Sequence, residues 1–141
     1  MSVFEKIVAK EIPSYIVYED DLVMAFLDIM QSTKGHTLVI PKKKYENIFE
    51  IPEELLKHLI AVTKMLAEKI KIAFNADGIN LLNNNGKAAG QTVFHYHFHI
   101  IPRYENDNFK VSFENNADKL TKADYEMRLN TIKKHLWNKL L

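Results

Sequence analysis

The chain has no cysteine, which excludes disulfides and thiolate metal sites and fits a reducing compartment. Arginine appears only as Arg103 and Arg128. Paired guanidinium clamps on a polyphosphate are therefore absent, and any phosphate site must draw on other donors. No apolar run reaches the ~18 residues that a membrane-spanning helix needs. Met1 to Ile12 mixes acids with lysines and carries no secretory pattern. An excess of one charge is missing too: the formal net charge is +1, so no overall field selects nucleic acid or a membrane surface. A cytoplasmic protein with neither of those partners is expected. The 141 residues, 47% hydrophobic and 26% charged, suit a folded chain with one core.

Hydrophobic periodicity predicts the elements. Val3 to Lys10 reads as a short amphipathic helix stopped before Pro13. Tyr15 to Glu19 and Leu22 to Asp28 read as two strands of a hairpin around Asp20-Asp21. His36 to Pro41 is almost wholly apolar and predicts a central strand. Pro52 suits the first turn of a helix whose dipole Glu53 and Glu54 complement. Leu55, Leu59, Val62, Leu66, Ile70 and Ala73 then recur every three or four residues, predicting a helix over 52–74. Ile79 to Leu82 is a further strand, followed by the polar loop Asn83 to Gly90. Near the C-terminus, Thr121 and Asp124 resemble a capping box, and Tyr125, Leu129, Ile132, Leu136 and Leu140 mark an amphipathic helix. These elements predict an α+β architecture: an antiparallel sheet of about five strands, one long helix and a C-terminal helix. Residues 1–105 form the expected domain and 106–141 a C-terminal extension packed on it.

The segment Thr92 to Pro102 holds His95, His97 and His99 at alternate positions, with Tyr96, Phe98 and Ile100 between them. A period of two predicts a strand with the three imidazoles on one face. Three chemistries compete for that pattern. Histidines can ligate a metal, but same-face neighbours lie ~6.5–7 Å apart, so the outer pair converges on one ion only if the strand bends. A neutral imidazole can instead attack phosphorus if one nitrogen is bare and the other N–H is held by an acceptor such as a backbone carbonyl. His36 can join such a set, and the Asn83–Gly90 loop with Thr92 offers neutral donors for a phosphate. A purely structural role would bury three imidazoles, at about 1–3 kcal/mol for each one left unpartnered. His58 and His135 stand alone beside apolar helix stripes and read as surface or boundary residues.

His95-Tyr-His-Phe-His-Ile-Ile101 resembles the defining motif of the histidine triad (HIT) superfamily, in which three histidines alternate with hydrophobic residues. Glu11-Ile-Pro-Ser14, Tyr18-Glu-Asp-Asp21, Ala25-Phe-Leu-Asp-Ile29, Gly35-His-Thr-Leu-Val-Ile-Pro-Lys42 and Ala89-Gly-Gln-Thr-Val-Phe94 resemble that family's recurrent segments in the same order. The pattern is most similar to the histidine triad nucleotide-binding branch, the nucleoside phosphoramidate hydrolases. The resemblance covers Phe4 to about Arg103 and not the C-terminal part.

The resemblance implies a HIT-like fold with sheets joined across a homodimer, and a purine mononucleotide as substrate. It implies that His97 attacks the α-phosphorus, forming a nucleotidyl-histidine that water hydrolyses to AMP or GMP. His95 would orient His97 through its backbone carbonyl. Asp28 would take the ribose hydroxyls, and Phe4, Ile7, Phe26 and Ile29 the base. Asn84, Gln91, Thr92 and His99 would contact the phosphate and leaving group, with His36 nearby. No cofactor is implied. Many bacterial members bind a structural zinc through a Cys-x-x-Cys pair and a later histidine; here those positions read Ser2-Val-Phe-Glu-Lys6 and Lys43-Lys44-Tyr45, so that zinc is not expected. Thr92 stands where serine is common. Dinucleoside polyphosphate hydrolysis, a non-catalytic nucleotide-binding regulator and a metal sensor are the competing functions.

Overall fold

The computed structural model describes residues 1–140, with side chains through 137. The chain divides into two compact units, Met1–Phe109 and Lys110–Leu141. In the first, helix α1 (Val3–Val8) is followed by strands β1 (Ile16–Glu19), β2 (Val23–Leu27) and β3 (Thr37–Pro41). Helix α2 (Glu53–Ala73) and strands β4 (Gly78–Leu82) and β5 (Phe98–Arg103) complete it. The sheet order is β1-β2-β3-β5-β4, and every neighbouring pair is antiparallel. The predicted α+β class, the five strands and the central position of β3 all hold. Pro52 sits one position outside the helix, as its N-cap, rather than in the first turn.

Both faces of the sheet are covered, which explains why β2 and β3 read as continuous apolar runs rather than alternating ones. On one face Val23, Ala25, Val39 and Ile100 pack with Tyr96 against Leu59, Val62, Leu66 and Ile70 of α2. On the other, Met24, Phe26, Leu38 and Ile40 pack under Phe4 and Ile7 of α1. That short helix is defined by a full capping box, in which Ser2 and Glu5 bond reciprocally to each other's backbone N–H.

The predicted histidine strand begins later than expected. Thr92 to His97 is irregular, and only His99 lies within β5. The backbone there is tied to loops instead of a ladder. Tyr96 N–H donates to the Tyr45 carbonyl at 2.6 Å, and the His97 carbonyl accepts from Asn83 Nδ2 at 2.9 Å. The His95 side chain, not its backbone, reaches the end of β3 by donating to the Pro41 carbonyl at 2.7 Å. The two-residue alternation survives without the ladder. His97 and His99 meet edge to face on one side with ring centroids 5.0 Å apart, and Tyr96 and Phe98 do so on the other at 5.7 Å.

In the second unit, helix α3 (Lys122–Leu140) starts with the predicted reciprocal bonds between Thr121 and Asp124. Tyr125, Leu129, Ile132 and Leu136 of its apolar stripe are exposed; the Leu140 side chain lies outside the described residues. Among the described residues no helix is long and apolar enough to cross a membrane.

Candidate active site

His97 is held by its own neighbourhood. Its Nδ1 lies 2.7 Å from the His95 carbonyl, which can only accept, so the proton is on Nδ1 and Nε2 keeps its lone pair. The Phe4 ring meets the imidazole edge-on at 5.2 Å and fixes its plane. Burial pushes the His97 pKa down, with the His95 carbonyl and the Asp28 charge opposing. The ring is therefore neutral at neutral pH, as a nucleophile must be. His95 is fully buried; its Nε2 is used on Pro41 and its Nδ1 has no hydrogen-bond partner.

His99 lies beside His97, and its pKa is depressed to about 4, first by burial and then by the His97 and His36 rings, against the pull of Asp28. Nδ1 of His99 is 2.9 Å from Nε2 of His36. His36 sits at the end of a braced turn. Its backbone N–H donates to Thr33 and its carbonyl accepts from the Asp28 N–H. Gln31 ties the turn together: Nε2 donates to the Asp28 and His36 carbonyls, and Oε1 accepts from the Gly35 N–H. Gly35 has φ +95°, and a Cβ there would lie 2.8 Å from the Phe74 ring, so only glycine delivers His36 to this place. Burial lowers the His36 pKa, and Asp28, whose Oδ2 is 3.6 Å away, opposes. Asp28, His36 and His99 offer ligand atoms within 4.8 Å of one another, a spacing a metal can use. The His36–His99 pair is already closed as a hydrogen bond, one nitrogen giving and the other taking.

A cavity of about 480 Å³ opens over His97 and His99. Phe4, Ile7, Phe26 and Ile29 form its apolar side, Asp28 its edge, and Asn84, Gly90 and Thr92 the side of the polar loop. The fold thus gathers most of the predicted site residues around one space. Three do not line it. His95 faces Pro41, and His36 stands behind His99. Gln91 is a loop brace: Oε1 accepts from Gly86, and Nε2 donates to the Glu46 and Val93 carbonyls. Both of its N–H groups and one lone pair of Oε1 are used in this brace, where the resemblance implies a substrate contact.

Sequence reasoning missed Gln31 and Asn83. Gln31 offers no pattern, because its partners are backbone groups of a turn. Asn83 belongs to a run of three identical residues with separate tasks. Asn83 holds the His97 carbonyl, Asn84 faces the cavity, and the Asn85 side chain accepts from the Ile48 N–H.

Known proteins are similar to this chain in sequence and fold. The HIT domain matches residues 9–106. The curated Bacillus subtilis protein hit is 49% identical over 135 residues, 95% of this chain and 93% of its own length. The Arabidopsis thaliana adenylylsulfatase HINT3 is 37% identical over 95% of this chain and 68% of its own. A crystal structure of a HIT family member from B. subtilis superposes with TM-score 0.89 at 48% identity, covering 94% of this chain and 95% of that one. A histidine triad nucleotide-binding protein from Candida albicans superposes with TM-score 0.85 at 32% identity over the whole of both chains.

Proposed function

The chain belongs to the HIT domain family, and on that premise we propose that it cleaves purine nucleotide derivatives at the α-phosphate through a covalent intermediate on His97. One observation carries this reading: the His95 carbonyl holds Nδ1–H of His97, which leaves the Nε2 lone pair as the nucleophile of a ring that lines the cavity. In the first step Nε2 bonds to phosphorus and the bond from phosphorus to the leaving amine or acyl oxygen breaks, the departing group taking the electron pair. In the second, water bonds to phosphorus and the phosphorus–His97 bond breaks, releasing AMP or GMP. The proton that water loses balances the one gained by a departing amine.

Asp28 takes the ribose hydroxyls at the cavity edge, where a carboxylate can accept two hydrogen bonds. Phe4, Ile7, Phe26 and Ile29 receive the base, and Asn84, Thr92 and His99 the phosphate and leaving group. No cofactor is needed for these steps. The absence of arginine from the cavity supports a single phosphate over a polyphosphate chain. The relative named an adenylylsulfatase favours a wider leaving-group range, with a phosphate–sulfate anhydride beside phosphoramidates and acyl-adenylates. The functional unit is a homodimer, which light scattering should report as twice the 16.4 kDa chain.

The test is release of AMP from adenosine 5′-phosphoramidate and from adenosine 5′-phosphosulfate. His97→Ala should lower kcat/KM by ~10⁴-fold or more, the scale of losing a nucleophile. Equal turnover by both proteins sinks the assignment. Preferred cleavage of diadenosine polyphosphate points to the polyphosphate class instead, and tight AMP binding without turnover of any of these points to a regulator.

A further inference from the structure

His36 is buried, touches no part of the cavity, and is not required by the two chemical steps above. Its hydrogen bonds nevertheless run in one direction. Nδ1 of His36 lies 3.3 Å from the backbone nitrogen of Ser32, whose N–H points at it. A backbone amide can only donate, so Nδ1 of His36 carries a lone pair. A neutral imidazole then has its proton on Nε2. That Nε2 is 2.9 Å from Nδ1 of His99, with the Asp28 carboxylate farther off at 3.6 Å. The Nε2–H of His36 therefore donates to Nδ1 of His99. The same logic applied once more leaves the His99 proton on Nε2.

We infer that His36 is a positioning residue: gripped by the Ser32 amide, it locks His99 in the tautomer with its proton on Nε2, so that His99 serves as a neutral hydrogen-bond donor and not as a proton-relaying acid. The site then holds two imidazoles of opposite polarity with centroids 5.0 Å apart. His97 carries its proton on Nδ1 and a lone pair on Nε2, whereas His99 has the reverse. The lock opposes a charged His99 as well. An imidazolium there would put an N–H on Nδ1, facing the Nε2–H of His36 across 2.9 Å, donor against donor. The low His99 pKa agrees with this.

The chain of bonds also has a dead end. If His99 gave up its Nε2 proton and drew the His36 proton onto Nδ1, His36 would be left without a proton on either nitrogen. Behind it stands an amide that cannot release its hydrogen under these conditions. The proton on a departing group must come from the medium. His99 instead aims a fixed N–H at an oxygen of the transferring phosphoryl group, whose charge it stabilises without becoming charged itself. This catalytic consequence rests on the phosphoryl-transfer reading; the tautomer lock does not.

Long-range ¹H–¹⁵N correlation spectra of protein labelled at histidine nitrogens test the lock without substrate. At pH 7, His36 and His99 should both show a protonated Nε2 and a bare Nδ1, and His97 the opposite. His36→Leu removes the donor and should mix the His99 tautomers. His36→Gln places an amide N–H near the lost Nε2–H and should restore the single tautomer. With adenosine 5′-phosphoramidate, His36→Leu should lower kcat by about 10²-fold, the low end for losing an aimed donor. KM should change by only a few-fold, and kcat for His36→Gln should exceed that of the leucine variant at least tenfold. A wild-type His99 that is charged or protonated on Nδ1 overturns the inference, as does an unchanged His99 spectrum in His36→Leu. Wild-type spectra of the expected form in a protein that turns over none of the proposed substrates leave the lock standing and sink the function.

Discussion

His97 and His99 are two residues apart, share one side chain, and are given different chemistry by their partners. A carbonyl holds the first and an imidazole the second. Their depressed pKa values have a kinetic consequence. Both rings must be neutral to act, so lowering the pH should leave kcat/KM intact through the ordinary histidine range near 6.5. Activity should then fall in an acid limb that lies below 6.5. A pH–rate profile whose acid limb lies at 6.5 or above contradicts this. Phe4 is the other decisive residue. It packs edge-on against Phe26, His95 and His97 at once. Phe4→Ala should cost about 3–5 kcal/mol by denaturant titration and raise KM, because the same ring is core and pocket wall. The nucleophile was legible as a type of residue in the alternating pattern. Its inequality with its neighbours was not, since the pattern treats the three histidines alike.

At the scale of elements, the hairpin packs on α2 through Val23 and Ala25 and is also tied to it by a polar contact of Asp20. Asp20 caps the β1–β2 turn by accepting from the Leu22 and Val23 N–H groups, and also takes bonds from Tyr18 and His58. Burial alone would raise its pKa, but these donors outweigh burial and bring it to about 2. Asp20→Ala should lower stability by about 1–3 kcal/mol in a urea melt, with kcat unchanged because the turn does not line the cavity. His58, isolated in the sequence, is this acid's partner on the helix, and the boundary role expected for it is what the structure shows. The lengths and order of the elements were readable because turn residues and periodicity are local. The start of β5 was not. Alternation predicts a strand, but pairing requires a neighbour with free backbone groups, and here Tyr45 and Asn83 take them first.

The first unit gathers four histidines, His36, His95 and His97 buried and His99 half-buried, and all four have pKa values below the ordinary one. An unfolded chain binds protons near pH 6.5 that the folded chain refuses, so protonation favours unfolding. Their contribution to stability is complete above about 6.5 and is lost as the pH falls from there through the folded values, about 4 for His99. The thermal midpoint should drop by more than about 5 °C between pH 7 and pH 5, before most carboxylates titrate. A midpoint that is flat across that interval would mean that the imidazoles are not desolvated as described.

By itself the sequence determined the α+β class, the central place of the apolar 36–41 strand and the identity of the histidine set, because composition and spacing act within a few residues of chain. Tertiary structure decided which nitrogen of each imidazole carries the proton. That depends on a carbonyl two residues away for His97, on the end of another strand for His95, and for His99 on a residue 63 positions distant. A tautomer is set by the direction of the nearest donor or acceptor, and direction exists only once the chain is folded.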